Sequence, residues 1–203
     1  MGLLRSLTIF GEMILLVGVV GTSLASVITI ALLKGDFKGG CPLYPTVTGG
    51  GDKVLIGLND VSNCNYVITF NVIALLAAIL IGLPRAMELM KKKKSITGST
   101  IFQFVIVILC AVIALLALVS ACIVTVGFKD LCDGMVSYYP RSRCIDFQND
   151  EWEYYDGSHF YDYLSASQVA SWLSFLFWLL VGVASFLLLT FLRQTSRPES
   201  VPT

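Results

Sequence analysis

The chain alternates four long apolar stretches with shorter polar segments. We place the stretches at Leu7–Leu33, Tyr66–Pro84, Ile101–Phe128 and Val169–Leu192, each close to or above the about 20 residues that a helix needs to cross a bilayer. The first is too long for a cleaved signal peptide, and no small-residue cleavage site interrupts it. Because backbone groups in hydrocarbon must bond within their own segment, the pattern predicts an all-α membrane protein with a four-helix transmembrane bundle.

The polar segments complete the predicted organisation. The chain ends are a short N-terminus and a polar tail, residues 1–6 and 193–203; a basic segment, residues 85–100, joins spans two and three. The outer loops, residues 34–65 and 129–168, together form an ectodomain of about a third of the chain.

Turn signals divide each of the two outer loops. In the first, Tyr44–Val47 and Lys53–Gly57 flank a run of glycines, a pattern typical of a short β-hairpin. In the second, we place the start of the loop at Gly127 and expect Tyr138-Tyr139-Pro140 to end any continuing helix.

Composition agrees with a lipid environment. Hydrophobic residues make up 56% of the chain and charged residues 14%, with a mean hydropathy of +0.78. Soluble domains have about 45–50% and about 25%, respectively. The formal net charge is zero, which excludes a whole-chain argument for nucleic-acid binding.

The charges are distributed asymmetrically between the two sides of the membrane. The side with both termini carries a net charge of +5 and the side with the two long loops −5. Arg85 and the run Lys91–Lys94 dominate the basic residues close to the spans, so the positive-inside rule places both termini in the cytoplasm. We expect a plasma-membrane or secretory-vesicle protein.

The lysine run Lys91, Lys92, Lys93 and Lys94 has two interpretations. It is a candidate site for anionic inner-leaflet lipid, at about 1 kcal/mol per basic residue, or it is only a topology signal. Met1–Ser6 also fits the myristoylation pattern on Gly2, although an acyl chain adds little anchoring beside a spanning helix.

Four of the six cysteines lie in the outer loops, where the compartment is oxidising. We favour the disulfides Cys41–Cys64 and Cys132–Cys144, because separations of 23 and 12 residues close easily; a cross-loop pairing is the alternative. Zinc is a poorer interpretation, since the spacing lacks CxxC and His159 is the only histidine.

The segment Asp146–Tyr163 combines six acidic and seven aromatic residues in 18 positions. Aromatic anchors surrounded by charge are typical of protein-binding surfaces. A calcium site and an interfacial aromatic belt are the alternatives, and the belt accounts best for Phe160–Tyr163. The candidate partner-binding residues are Asp150, Glu151, Trp152, Glu153, Tyr154 and Tyr155.

Polar residues within the spans are the usual markers of transport. Glu12, Asn71 and Gln103 are the candidates, and Glu12 has Arg5, Arg85 and Arg193 as its potential ion-pair partners. We interpret the three as hydrogen-bonding residues inside the bundle, with a partner-facing role as the alternative. Small residues at close-packing spacing accompany them and favour packing within the bundle over contacts with another protein. They are Gly18, Gly21, Thr22, Ala25, Ser26, Ala114, Ala117, Ala121, Gly182 and Ser185.

The sequence contains no catalytic constellation. One histidine, with no nucleophile elbow, phosphate loop or HExxH motif, argues against an enzyme, a cofactor, a metal centre or a small-molecule substrate.

Three further segments carry a resemblance to a known family. They are Gly40-Cys41-Pro42-Leu43-Tyr44, the run from Val119-Ser120-Ala121-Cys122-Ile123 to Leu131-Cys132, and Phe160-Tyr161 before a last span bearing Trp172. They resemble the transmembrane protein 179 family, most closely its B-type branch, over essentially the whole chain. The resemblance implies four spans and cytoplasmic termini but no established activity. The claudin loop signature is absent, since loop one contains no tryptophan, and so is the tetraspanin Cys-Cys-Gly motif.

The functional hypothesis is a non-enzymatic accessory subunit of a larger membrane complex, such as an ion channel or receptor, with membrane lipids as the other partner. It follows from a bundle without a pore or catalytic residues that carries a disulfide-linked, acidic and aromatic ectodomain. A homo-oligomeric channel or transporter lined by Glu12, Asn71 and Gln103 is one alternative. An adhesion or vesicle-organising protein is the other.

Overall fold

The computed structural model describes residues 2–48, 55–58, 60–91, 100–138 and 143–195. Four helices dominate it: α1 (Gly2–Asp36), α2 (Ser62–Lys91), α3 (Thr100–Tyr138) and α4 (Phe160–Thr195). Between α1 and α2 lie two short strands, β1 (Thr46–Thr48) and β2 (Leu55–Gly57), and between α3 and α4 lies the 3₁₀ helix Cys144–Asn149. We call the end of the bundle with both termini the terminal end, and the opposite end the loop end.

Each helix buries one narrow seam with alternating spacings of four and three residues. On α1 the seam includes Glu12, Leu16, Val19, Ser23, Ser26, Ile30 and Leu33. On α4 it includes Phe160, Leu164, Ser167, Ser171, Ser174, Trp178, Val181 and Ser185. A seven-residue repeat keeps a seam facing its neighbours when helices wind around each other in a left-handed bundle. Helix α4 packs most extensively, against α1 and α3, while α2 and α3 make the least extensive contact of the adjacent pairs.

The faces opposite these seams carry large apolar side chains. Val17, Leu80 and Leu115 are examples whose side chains are more than half exposed. Four helical segments are long and apolar enough to cross a membrane: Ser6–Asp36, Ser62–Met90, Thr100–Tyr138 and Phe160–Phe191. An apolar surface of this extent requires lipid around it. The prediction of a four-span helical membrane protein is confirmed.

All four helices continue beyond the ends that hydropathy indicated. Helix α3 runs through Gly127 and ends at Tyr138, where the Tyr138-Tyr139-Pro140 motif was expected to end any continuing helix. Gly127 lies where α3 meets the first loop, because a Cβ there would stand 2.9 Å from the Leu43 side chain. Helix α2 continues past Pro84 to Lys91, and α4 begins at Phe160. Hydropathy reports lipid contact, whereas a helix continues for as long as another surface packs against it.

The loop domain consists of the described residues between α1 and α2 and between α3 and α4, with the last turns of α3. Its strands pair antiparallel with Val47 opposite Ile56, which confirms the predicted hairpin. The hairpin packs on α3, where Val47 contacts Gly134. Phe37, Phe147 and Phe160 are fully buried beneath it, so both loops share one core with the loop end of the bundle.

Candidate functional site: a buried polar ring and a loop domain

Four polar side chains, one from each helix, form a closed ring near the terminal end of the bundle. Arg85 on α2 forms an ion pair with Glu12 on α1, with 3.1 Å between Nε and Oε2. Arg85 Nη2 donates to Gln103 Oε1 on α3 at 2.6 Å, and Gln103 Nε2 donates to the carbonyl oxygen of Ser185 on α4 at 2.9 Å. Ser185 Oγ donates to Glu12 Oε1 at 2.6 Å. We call these four residues the polar ring.

The polar ring is closed to solvent and lipid. The Arg85 side chain is 2% exposed, and Glu12, Gln103 and Ser185 are fully buried. Ionised groups inside a membrane protein persist when they are paired and hydrogen-bonded, and leaving one unpaired is costly. The carboxylate neutralises the guanidinium, and the amide and hydroxyl take up neighbouring hydrogen-bonding positions. The ring therefore ties all four helices together at one level.

The ring decides between alternatives that the sequence left open. Of the potential partners Arg5, Arg85 and Arg193, the structure pairs Glu12 with Arg85. Arg85 was assigned to the basic connecting segment, yet it lies inside the bundle. The sequence did contain a signal, because Glu12 and Arg85 both lie on the seven-residue seams of their helices. A solvent-exposed charged residue rarely lies on such a seam.

Asn71 belongs to a second polar group toward the loop end. Its Nδ2 donates to Ser26 Oγ at 3.3 Å and to the Val67 carbonyl at 2.8 Å. Ser26 Oγ in turn lies 3.3 Å from Ser167 Oγ on α4. This triad joins α1, α2 and α4, about 21 Å from the polar ring, because 14 residues separate Glu12 from Ser26 along α1. Thus Glu12, Asn71 and Gln103 are all buried between helices of this chain.

The small residues of α1 divide between two faces. Gly18 is an inward contact, since a Cβ there would stand 2.8 Å from the Phe177 ring on α4. Ser26 is also buried. Gly21, Thr22 and Ala25 instead line an open groove with residues of α4, about 490 Å³ in volume. The small residues therefore serve packing on one side and leave a shallow groove on the other.

Two disulfides hold the loop domain to the bundle. Cys41 is bonded to Cys64 at the start of α2, and Cys132 near the end of α3 is bonded to Cys144 in the 3₁₀ helix. This is the pairing that the short separations favoured over a cross-loop arrangement. Each outer loop is thus covalently attached to the helix that follows or precedes it.

The acidic and aromatic segment has an inner and an outer face. Trp152 packs edge-on against Phe37 and near Phe160, and its Nε1 donates to the Phe147 carbonyl at 3.0 Å. Tyr155 stacks on the Phe37 ring with 5.3 Å between centroids. Two of the six candidate partner-binding residues are therefore half-buried anchors of the loop domain.

The remaining candidates lie at or near the surface. Glu151, Glu153 and Tyr154 are exposed, Tyr154 with 57% of its surface, and Asp150 is half-buried. The inward side chains Trp152 and Tyr155 hold this outward surface in place. We call Glu151, Glu153 and Tyr154 the acidic edge.

Gly157 positions the segment that carries the acidic edge. A Cβ at this position would overlap the Trp152 ring, so the indole lies directly on the glycine backbone. The neighbouring Asp156 Oδ1 accepts a hydrogen bond from Ser158 N at 3.0 Å, and its backbone N donates to the Asp36 carbonyl. Hydrogen bonds from the side chain and backbone of Ser158 hold the pKa of Asp156 below its ordinary value. These contacts attach the segment to the end of α1.

The other sequence-predicted features acquire no further chemistry in the described part of the chain. The described residues contain no group of three or more His, Cys, Asp or Glu side chains arranged to hold a metal ion. The only histidine, His159, lies beside the Tyr163 ring on the surface. Lys91 is the last residue of α2, and Lys92, Lys93 and Lys94 lie outside the described residues.

Two known proteins that are similar to the chain have the same name. The chain is 26% identical over 158 residues to "Transmembrane protein 179B" from Danio rerio. The alignment covers 76% of this chain and 72% of that protein. It is 25% identical over 174 residues to "Transmembrane protein 179B" from Mus musculus. That alignment covers 84% of this chain and 78% of the mouse protein. No solved structure is significantly similar to it.

The family match extends over nearly the whole chain. Residues 8–200 match the family described as "Transmembrane protein 179/179B Claudin domain". The missing tryptophan in loop one had indicated a distinction from claudins, and this match corrects that interpretation, because the family is described as a claudin domain. The chain belongs to the transmembrane protein 179/179B family, a claudin-like family of four-span membrane proteins.

Proposed function

We propose that this protein is a non-enzymatic accessory subunit of a larger membrane complex, such as an ion channel or a receptor. The observation that carries the proposal is the direction of its polar groups. Glu12, Arg85 and Gln103 are turned inward and paired within the bundle, while the acidic edge is held outward on a disulfide-linked base. Such a chain offers a partner an apolar bundle surface and a fixed acidic surface.

The burial of the intramembrane polar residues argues against a pore between copies of this chain. Glu12, Asn71 and Gln103 were the candidate lining residues, and each has contacts within its own bundle. Lining a pore with them requires opening the polar ring and exposing the Arg85 charge, which is energetically expensive in lipid.

The proposal includes an orientation. Both termini and the lysine run Lys91–Lys94 face the cytoplasm, where the lysines contact anionic lipid, and the loop domain faces the exterior or the vesicle lumen. The excess of basic residues on the terminal side supports this orientation. The membrane is the plasma membrane or that of a secretory vesicle.

The test is co-purification of the full-length protein in mild detergent, followed by mass spectrometry. A stoichiometric membrane partner is expected with the native chain. The triple variant Glu151→Gln, Glu153→Gln, Tyr154→Ser should lose that partner while retaining the native unfolding temperature, because these side chains are exposed. A matched control replaces the exposed Asp130 and Asp133 of α3 by Asn and should retain the partner.

Two outcomes contradict the proposal. Recovery of the native chain alone, across several detergents and nanodisc lipids, rules out a stable complex. Aggregation of cells that display the native chain, abolished by the triple variant, assigns the acidic edge to adhesion instead.

A further inference from the structure

The buried polar side chains of the bundle fall into two groups. Among the described residues, eleven buried side chains are polar or charged, and four of them form the polar ring. The other seven are neutral and come from all four helices; we call them the polar band. They are Ser23, Ser26, Asn71, Ser120, Ser167, Ser171 and Ser174.

The polar band extends over about two helical turns of the bundle, or roughly 10 Å along its axis. The Ser26–Asn71–Ser167 triad is joined by direct contacts. Ser23 lies three residues from Ser26, and Ser171 lies four residues from Ser167, so each shares a helix face with its neighbour. Ser120 is about 25 Å from Gln103 along α3, close to the about 21 Å that separates Asn71 from Arg85 along α2.

Apolar layers bound the band on both sides. The buried interior comprises two hydrophobic clusters, and the band lies where they meet, with Phe70, Ala74 and Ala117 of one cluster interspersed among its residues. Toward the loop end the boundary is Ile30, Val67, Val124 and Leu164, all fully buried. Toward the terminal end it is the cluster that contains Val19, Ala78 and Val181, which also separates the band from the polar ring. The band is therefore closed toward both ends of the bundle.

Hydrogen bonding within the band is incomplete. The hydroxyls of Ser23, Ser120, Ser171 and Ser174 have no hydrogen-bond partner among the described residues, and neither does Asn71 Oδ1. Trp178 Nε1, one turn beyond Ser174 on α4, is likewise without a partner in this part of the chain. Thr22 and Thr29 of α1, by contrast, donate to carbonyls of their own helix. The serine hydroxyls of the band are therefore turned away from that usual local acceptor.

We propose that the polar band is an internal hydration site that holds a small cluster of ordered water molecules. Buried polar groups are satisfied in native proteins, and internal water provides the partners that side chains do not. The chemistry selects water: the site combines hydroxyl donors, an amide oxygen and an indole N–H, and it contains no charged group to hold an ion. The enclosing apolar layers make it an occluded site and not a channel. This inference is independent of the proposed function.

The test is water-edited solid-state NMR on the full-length protein in lipid bilayers, with ¹⁵N-labelled tryptophan. The three indole signals belong to Trp152, Trp172 and Trp178, and a Trp178→Phe variant assigns the third. Rapid magnetisation transfer from water to the Trp178 indole is expected, although its side chain is fully buried. Trp152, which is half-exposed in the loop domain, is the positive control. Transfer to Trp152 without transfer to Trp178 overturns the proposal.

A second variant tests where the water lies. Ser171→Val with Ser174→Val replaces two hydroxyls by apolar groups of larger volume and should abolish transfer to Trp178. Unchanged transfer in this variant overturns the proposal, because the water then reaches the indole from elsewhere. Should the double variant fail to fold, Ser174→Ala replaces it, with a smaller but measurable loss expected. The Nδ2 signal of Asn71 in asparagine-labelled protein is an independent readout, and its isolation from water also contradicts the proposal.

Discussion

The polar ring and the polar band represent two ways of placing hydrogen-bonding groups inside a membrane bundle. The ring contains one positive and one negative side chain, and its four members contact one another directly at 2.6–3.1 Å. The band contains only neutral side chains; its contacts between side chains are 3.3 Å, and five of its polar atoms have no hydrogen-bond partner among the described residues. A charge in a low-dielectric interior requires a direct partner, whereas a hydroxyl is much less costly to bury. We therefore expect substitutions in the ring to destabilise the protein more than substitutions in the band.

The largest effect is expected for Arg85→Met. This change leaves the Glu12 carboxylate buried without its counter-charge, a loss of about 3–5 kcal/mol in a buried pair. We expect a large fall in unfolding temperature, or failure to accumulate, in thermal unfolding of the purified protein. Arg193→Met is the control, since Arg193 is exposed at the end of α4, and it should leave the transition unchanged.

The double variant Glu12→Gln, Arg85→Met sharpens the same comparison. It removes both charges and keeps the approximate volumes, so a substantial part of the stability lost in Arg85→Met should return. A double variant as unstable as the single one would show that packing, and not the uncompensated charge, accounts for the loss.

A smaller effect is expected for Asn71→Leu in the band. The change removes the donor to Ser26 and to the Val67 carbonyl and introduces no buried charge. Leaving hydrogen-bonding partners unsatisfied costs about 1–3 kcal/mol. Thermal unfolding beside Arg85→Met measures the ranking, and a loss equal to or larger than that of Arg85→Met would contradict it.

Ser174→Ala should have a still smaller effect, within about 1 kcal/mol, because its hydroxyl has no partner among the described residues. Ser185→Ala is the matched control in the ring, since the Ser185 hydroxyl donates to Glu12 at 2.6 Å. If both serine variants unfold at the same temperature, the contrast between ring and band is wrong.

The smallest effect concerns acid and lies outside both regions. Asp60 and Asp156 accept hydrogen bonds from Ser62 and Ser158, respectively, which lower the pKa of each carboxyl from its ordinary value of 3.8. A lowered pKa gives stability that is present above the unfolded-state value and lost as pH falls through the folded-state value. The loop domain should therefore loosen below about pH 3.8.

Hydrogen exchange of loop-domain amides between pH 5 and pH 3, corrected for the intrinsic rate, measures this loosening. Asp156→Asn keeps an oxygen acceptor for Ser158 but does not titrate, so it should reduce the acid response. An identical response in this variant would remove Asp156 from the explanation.

Some features of the structure could be predicted from local sequence patterns alone. Turn-forming glycines between two β-prone stretches are a local signal, and the hairpin of β1 and β2 has the predicted pairing. The disulfides Cys41–Cys64 and Cys132–Cys144 follow short separations along the chain. Gly127, where the second loop was predicted to start, lies within α3 and packs closely against Leu43, a contact that no local pattern indicates.

The intramembrane site required contacts between distant segments. Arg85 follows Pro84 at the end of an apolar run, which made it appear to be a residue of the connecting segment. Its position inside the bundle depends on Glu12, 73 positions earlier, and on Gln103 from the next helix. Similarly, Trp152 and Tyr155 are indistinguishable in sequence from exposed aromatic residues until Phe37 and Phe160 are placed beneath them.

Hydrophobicity is additive along a chain, so the number of spans, the lipid environment and the alternation of loops were determined by the sequence alone. Pairing is not additive, because the environment of each polar side chain depends on which helix faces it. Only the tertiary structure decided that Glu12, Arg85, Gln103 and Ser185 meet at one level and that seven neutral polar residues lie together toward the loop end. An unpaired polar group is costly in lipid. The contacts between these polar side chains therefore determine how the four helices pack together.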